Sequence, residues 1–122
     1  MNDTKEYITG TAEKGTYNIS SEVVATVAAN AACEVEGVAG ISVGGKEIAN
    51  IKNNKKNALR GVKINYEENS LSIDVNVVVN IGAEIGPVAE KIQTAVIDAV
   101  EATIGQKVSA VNVRVNGLNL GK

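Results

Sequence analysis

The sequence predicts an α+β fold, a two-layer sandwich in which two helices cover one face of a mostly antiparallel sheet. Three observations predict it: one long stretch of alternating apolar residues, two segments with helical apolar spacing, and the order of the shorter segments between them. The alternating stretch is 71–81, LSIDVNVVVNI, in which every odd position is apolar and Val78 is the only apolar residue at an even position. A period of two is typical of a strand with one buried and one solvated face.

The composition sets the size of the fold and narrows the function. The chain has 122 residues and an apolar content of 44%, which suits one domain with a core of Val, Ile and Ala. It has no His and one cysteine, Cys33, so the commonest general base and most zinc ligands are missing. We therefore expect no cofactor, no metal and no enzymatic activity. The net charge of −2 predicts no strong bulk attraction to nucleic acid or membranes.

We predict a single domain over 15–118 with a short tail at each end. Residues 1–14 are polar and lack periodicity, which is typical of a flexible N-terminal tail, and 119–122 form the C-terminal tail. A short strand at 15–19 opens the domain. Because the chain begins without the apolar core of a secretory signal and no apolar run is long enough for a membrane span, we expect a cytoplasmic protein.

The first helix follows that strand. Ser20 is suited to cap its start, apolar residues recur at helical spacing as far as Val35, and Gly37 is predicted to end it. The other face of this helix carries small residues, among them Ala25 and Ala29, which we predict to be exposed.

The remaining elements follow in the order strand, strand, strand, helix, strand. A hairpin joins a strand at 62–66 to the long strand through the turn EENS. The second helix begins near Pro87 and ends at Gly105, with Ile97 among its outward residues. With strands at 38–43 and 111–115, the complete predicted order is β-α-β-β-β-α-β.

Positive charge is concentrated in the segment 46–63, which has six basic residues and one acidic residue. This pattern indicates either a solvated loop or contact with an anionic partner, such as lipid headgroups, nucleic acid or an acidic protein surface. The candidate contacts are Lys46, Lys52, Lys55, Lys56, Arg60 and Lys63.

Two glycine patterns are compared with nucleotide and nucleic-acid sites. The segment 40–46, GISVGGK, has phosphate-loop spacing, but Glu47 replaces the Ser or Thr that would hold magnesium. The segment 37–40 is a GxxG, the pattern with which KH domains clamp a nucleic-acid backbone, although it follows acidic residues. A KH-like nucleic-acid-binding module, formed by this turn and the basic segment 46–63, is our alternative function. It is disfavoured, because the outer face of the predicted sheet carries no aromatic residues for base stacking.

That outer face is predicted to be polar, with many side-chain amides, and it is a candidate surface for self-association. Asp74 and Arg114 are plausible cross-strand neighbours on it. The candidate contact positions, on this face and on the helices, are Ala25, Ala29, Ile97, Asn76, Asn112 and Arg114.

Three segments, in this order, resemble the alkaline shock protein family of Gram-positive bacteria, now described as envelope stress response proteins. The strongest pieces are EVEGVAGI at 34–41, KIQTAV at 91–96 and VNVRVNGL from Val111, and the resemblance covers 15–118. It implies an abundant cytoplasmic protein without catalytic residues, tied to stress and to maintenance of the cell envelope. Some members lie beneath the membrane through a separate membrane-anchored partner, and some self-associate. We therefore expect a non-enzymatic interaction protein, a homo-oligomer or one docked to a partner at the inner face of the cell membrane.

Overall fold

The computed structural model describes residues 7–44, 47–49, 59–67 and 70–120. In these parts of the chain seven strands and two helices form, together with one turn of 3-10 helix. They are β1 (Tyr7–Ala12), β2 (Gly15–Ser20), α1 (Ser21–Cys33), β3 (Val38–Gly44), β4 (Glu47–Ala49), the 3-10 turn (Leu59–Gly61), β5 (Val62–Glu67), β6 (Ser70–Asn80), α2 (Ile85–Ile104) and β7 (Ala110–Asn119).

The alternating strand β6 is the centre of a five-stranded sheet. Along one edge it pairs with β7, and along the other it pairs first with β5 and then with β3. Val75 thus lies between Val62 and Val113, whereas Val77 lies between Ile41 and Val115. Strand β4 adds to β3, and both helices lie on the inner face, so the predicted α+β sandwich is confirmed.

Three features of the strands go beyond the predicted order, the first of which is the additional strand β4 beside β3. Strands β6 and β7 pair in parallel, because the whole of α2 forms the connection between them, as a parallel pair requires. Strand β1 lies in the segment predicted to be a flexible tail, and it pairs with β2 as a separate hairpin. The hairpin contacts the end of α2, where the Tyr17 hydroxyl donates to Ile104 O at 3.1 Å and Gln106 Nε2 donates to Thr9 O at 2.9 Å.

The start of α1 agrees with the sequence prediction, and its end does not. Ser20 caps the helix as predicted, because its side chain accepts a hydrogen bond from Val23 N at 3.3 Å. The last helical residue is Cys33 and Glu34 caps the end, three residues before the predicted stop at Gly37. Gly37 lies instead in the following turn with φ of +101°, where a Cβ would come within 3.0 Å of a Val88 methyl. Its conformation and the closeness of α2 both favour glycine there.

The buried face of α1 is the one rich in alanine. Ala25 is 6% exposed and Ala29 is fully buried, whereas Val23 is 46% exposed. The prediction that the two alanines form an exposed face is therefore wrong. Helix α1 packs on the sheet and on α2 at once, and small side chains allow both close approaches. The close packing of α1 against the sheet and α2 therefore decides which of its residues are buried, and the greater hydrophobicity of valine does not.

Every fourth residue of helix α2 is buried, and these residues form an apolar stripe that packs against the sheet and α1. Gly105 ends the helix in a left-handed conformation with φ of +72°, as predicted. The members of the stripe are Val88, Ile92, Val96, Val100 and Ile104.

A candidate interaction surface on the open face of the sheet

The outer side of the five-stranded sheet, which we call the open face, is the most distinctive surface of the described chain. On β6 the inward residues Ile73, Val75 and Val77 are fully buried beneath the helices. The even residues of the same strand point the other way, and Asp74 and Asn76 are half-buried. Both described helices lie on the inner side, so neither of them covers this polar face.

Asp74 occupies the centre of the open face and is held by an amide from each neighbouring strand. Asn112 Nδ2 on β7 donates to its Oδ1 at 2.8 Å, and Asn65 Nδ2 on β5 donates to its Oδ2 at 3.3 Å. The Asn112 hydrogen bond lowers the pKa of Asp74 below its ordinary value, and partial burial opposes this effect. The Asn65 bond and the charges of Arg114 and Lys63 lower the pKa further, so the carboxylate is held ionised.

Two exposed cations flank this carboxylate. Lys63 on β5 lies directly opposite Asp74, and Arg114 on β7 lies opposite the neighbouring Asn76. The open face therefore presents an anion between two cations, an arrangement suited to ionic and hydrogen-bonded recognition of another surface. The described residues contain no cluster of three or more His, Cys, Asp or Glu that could hold a metal ion.

The remaining amides of the open face link β6 to the 3-10 turn and link strands to one another. Asn76 Nδ2 donates to Gly61 O at 3.1 Å, Asn116 Nδ2 to Ser42 Oγ at 3.2 Å, and Asn119 Nδ2 to Asn80 Oδ1 at 3.0 Å. These bonds hold the polar side chains in position. A surface ordered in advance loses less conformational entropy on binding than a mobile one.

The same arrangement explains why an apolar residue, Val78, occurs at an even position of β6. It faces the open side yet is only 3% exposed. It pairs with Gly40 on β3 and Gly117 on β7, while the Asn116–Ser42 hydrogen bond joins those two strands across β6. Sequence reasoning did not find this bond, because its partners are 74 residues apart. The residue pattern carries no signal for it.

The predicted self-association positions separate into two groups. Asn76, Asn112 and Arg114 lie together on the open face. Ile97 lies half-buried on α2, in the other layer, and the two alanines of α1 are in the core. The structure therefore brings together only the predicted positions on the sheet.

The basic segment 46–63 is described at 47–49 and 59–63, and only the second part contains predicted contact residues. Arg60 is exposed in the 3-10 turn, and Lys63 is exposed on the open face. The other predicted anionic contacts lie outside the described residues: Lys46, Lys52, Lys55 and Lys56.

The two glycine patterns do not form loops of the kind that phosphate-binding and KH sites need. Strand β3 begins at Val38, and Gly40 pairs with Val78, so the GxxG at 37–40 runs from a turn into a strand. A KH clamp needs a free loop whose backbone can approach phosphates, and this part of the alternative function is wrong. The first residues of the GISVGGK segment are likewise part of β3.

A shallow groove of about 280 Å³ lies between the start of α1 and β5. Its described lining mixes apolar residues with one acid and one base. The lining residues are Ser21, Glu22, Ala25, Leu59, Val62, Lys63 and Ile64. None of the helices in the described residues is long and apolar enough to cross a membrane.

Comparison with known proteins matches nearly the whole chain. A family model described as having a cell envelope-related function matches residues 9–120, and this is the alkaline shock protein family. The uncharacterized protein YloU of Bacillus subtilis (strain 168) is 37% identical over 112 residues, which cover 87% of this chain and 90% of YloU. The uncharacterized protein Spy1614 of Streptococcus pyogenes serotype M6 is 30% identical over 112 residues, covering 87% of this chain and 89% of that protein.

Among solved structures, a single-residue variant of the MamM CTD in its zinc form is similar, with a TM-score of 0.50. The match covers 84% of this chain and 90% of that one at 19% identity. At this identity the likeness concerns the fold alone.

Proposed function

This chain belongs to the alkaline shock protein family, as its sequence resemblance predicted, and from that premise we propose that it is a non-enzymatic protein-interaction module of the cell envelope. In this proposal the open face makes the contact, either with another copy or with a protein partner. The observation that carries it is the Asp74 site, where one carboxylate is fixed by two amides and flanked by two cations. Such a surface recognises a partner by charge and hydrogen bonding.

The chemistry of the open face supports binding and not catalysis. Both carboxyl oxygens of Asp74 already accept hydrogen bonds, and its lowered pKa makes it a poor general base near neutral pH. Its neighbours on the face are amides, hydroxyls and cations, none of which is an activated nucleophile. An interaction role needs only the charges and hydrogen-bonding groups that these side chains already provide.

The finer part of the proposal concerns place and trigger. We place the protein in the cytoplasm, peripheral at the inner face of the cell membrane, where a membrane-anchored protein partner holds it during envelope stress. The family's cell envelope-related description supports this assignment. A deletion strain should then grow poorly under envelope stress, and Asp74→Lys, which reverses the central charge, should fail to restore growth that the natural chain restores.

Site-specific photo-crosslinking in cells tests which surface makes the contacts. The chain offers a matched pair of exposed alanines, Ala110 at the start of β7 on the open face and Ala102 on the outward side of α2. A photoreactive residue at Ala110 should give discrete protein adducts, and the same residue at Ala102 should give few. Adducts from Ala102 with none from Ala110 would overturn the proposal, because the helix layer would then be the binding side.

A further inference from the structure

Strand β7 forms one edge of the five-stranded sheet. Nine of its ten residues pair with β6, and no other described strand pairs with its second edge. An open edge is a template for another strand, and proteins usually protect it with Lys, Pro or a bulge. Strand β7 has neither Lys nor Pro, its one charge is Arg114, and its bulge comes only after Val115. The first half of this edge is therefore open to pairing.

The hydrogen bonds at the end of β6 show which backbone groups face that edge. Asn80 N donates towards β3, to Gly37 O, whereas Ile81 N donates towards β7, to Asn119 O. At the other end, Leu71 O accepts from Ser109 N, just before β7. The odd residues of β6 thus direct their backbone groups towards β7.

A parallel pair then bonds the even residues of β7, which leaves the odd residues Val111, Val113 and Val115 directed outwards. The position of Gln93 agrees with this geometry, since its Nε2 donates to Val111 O from α2 at 3.1 Å. The free donors and acceptors of the edge are therefore centred on Val113.

We propose that this edge binds a second copy of the chain, β7 against β7 in antiparallel orientation, so that two sheets join into one. The inference rests on the proposed function, because it names the occupant and the register of the same surface. A two-fold axis at Val113 makes that residue a hydrogen-bonded pair with its own copy. Val111 and Val115 then pair with each other across the axis.

Charge complementarity identifies a second copy as the occupant and selects this register. With the axis at Val113, Arg114 of each copy faces Asn112 of the other. Asn112 donates to Asp74 at 2.8 Å, so the partner's Arg114 lies one strand spacing, about 4.8 Å, beyond that pair on the same face. The partner's Arg114 thus adds a cation beside Asp74, and symmetry forms the contact twice. An axis at Arg114 would oppose two like charges, which is destabilising.

Exchanging the charges at positions 74 and 114 tests the proposal. Dimerisation is measured by sedimentation of the purified full chain over a concentration series. The natural chain should dimerise. Arg114→Glu places two acids together in its own dimer, and Asp74→Lys places two bases together, so each should weaken dimerisation by about tenfold or more. An equimolar mixture of the two variants restores both opposite-charge contacts, and it should recover dimerisation to within about threefold of the natural chain.

The mixture separates the proposal from simple misfolding, because a misfolded variant would not be rescued by a second variant. Lys91→Glu is the matched control for charge, since this lysine is exposed on α2, and it should leave the dimer unchanged. A natural chain that stays monomeric at every concentration, or a mixture that does not recover, would overturn the proposal. Crosslinks from Ala110 to a different protein would then still support the proposed function, whereas their absence as well would refute both.

Discussion

Gly61 lies where the structure leaves no room for a side chain, so Gly61→Ala tests how closely the sheet is packed beneath the open face. A Cβ on Gly61 would lie 2.3 Å from Ile41 Cγ2 and 2.3 Å from the carbonyl oxygen of Ser42. Because non-bonded carbons pack at about 3.5–4.0 Å, β3 or the 3-10 turn must move by about 1 Å. Overpacking costs about 1–3 kcal/mol, and a backbone oxygen cannot rotate away. We expect a loss near the upper end, about 3 kcal/mol in the free energy of unfolding.

Urea denaturation followed by circular dichroism measures this loss. For a slope of about 1.5 kcal/mol/M, the midpoint should fall by about 2 M. Gly86→Ala is the matched control, because nothing lies within 4 Å of a Cβ there and Gly86 is in the first turn of α2. It should stabilise the protein by up to about 1 kcal/mol through helix propensity. A Gly61→Ala midpoint equal to that of the natural chain would refute the close approach of β3 to the 3-10 turn.

Three further changes test other parts of the structure. Ile92→Ala removes a fully buried side chain of α2 and should cost about 2–5 kcal/mol in urea denaturation, whereas Val23→Ala, at a half-exposed position, should cost well under about 1 kcal/mol. Tyr17→Phe removes the hydrogen bond to Ile104 O and should lower the free energy of unfolding by about 0.5–1.5 kcal/mol. Amide exchange should become faster only in β1 and β2, and unchanged exchange there would contradict the anchoring of the hairpin. Asp74 has a lowered pKa when folded, so its stabilising effect is present above its unfolded pKa of about 3.9 and is lost as the pH falls through the folded pKa. The stability difference between the natural chain and Asp74→Asn should therefore shrink on acidification below about pH 4, and a difference that grows would reverse the assigned direction.

The elements that could be predicted from the sequence are those whose buried residues are large and regularly spaced. Strand β6 and helix α2 are both of this kind, with fully buried side chains such as Val75, Ile92 and Val96 at the expected periods. Helix α1 is different, because alanines occur around most of its circumference. The side that is buried depends on how closely α1 approaches the sheet and α2, which is a property of the packed molecule and not of the local pattern.

The open face was predictable in its composition but not in its contacts. Alternation along the last strand places Asn112 and Arg114 on the outer side, and this prediction agrees with the structure. The parallel pairing of β7 with β6 depends on contacts distant in sequence, and so does the Asn76 bond to Gly61 O. The sequence alone therefore assigns the charges around Asp74 to one face of the sheet, whereas the free edge of β7 follows only from the folded structure.

Amide hydrogen exchange, measured at low and high protein concentration, tests most directly whether the open face and its β7 edge make the contacts. In the dilute protein the outward amides of Val113 and Val115 have no strand partner among the described residues and should exchange quickly. At high concentration we expect both to become protected, while amides on the outward side of α2 stay unchanged. Protection that rises on the helices, with none gained in β7, would contradict the account.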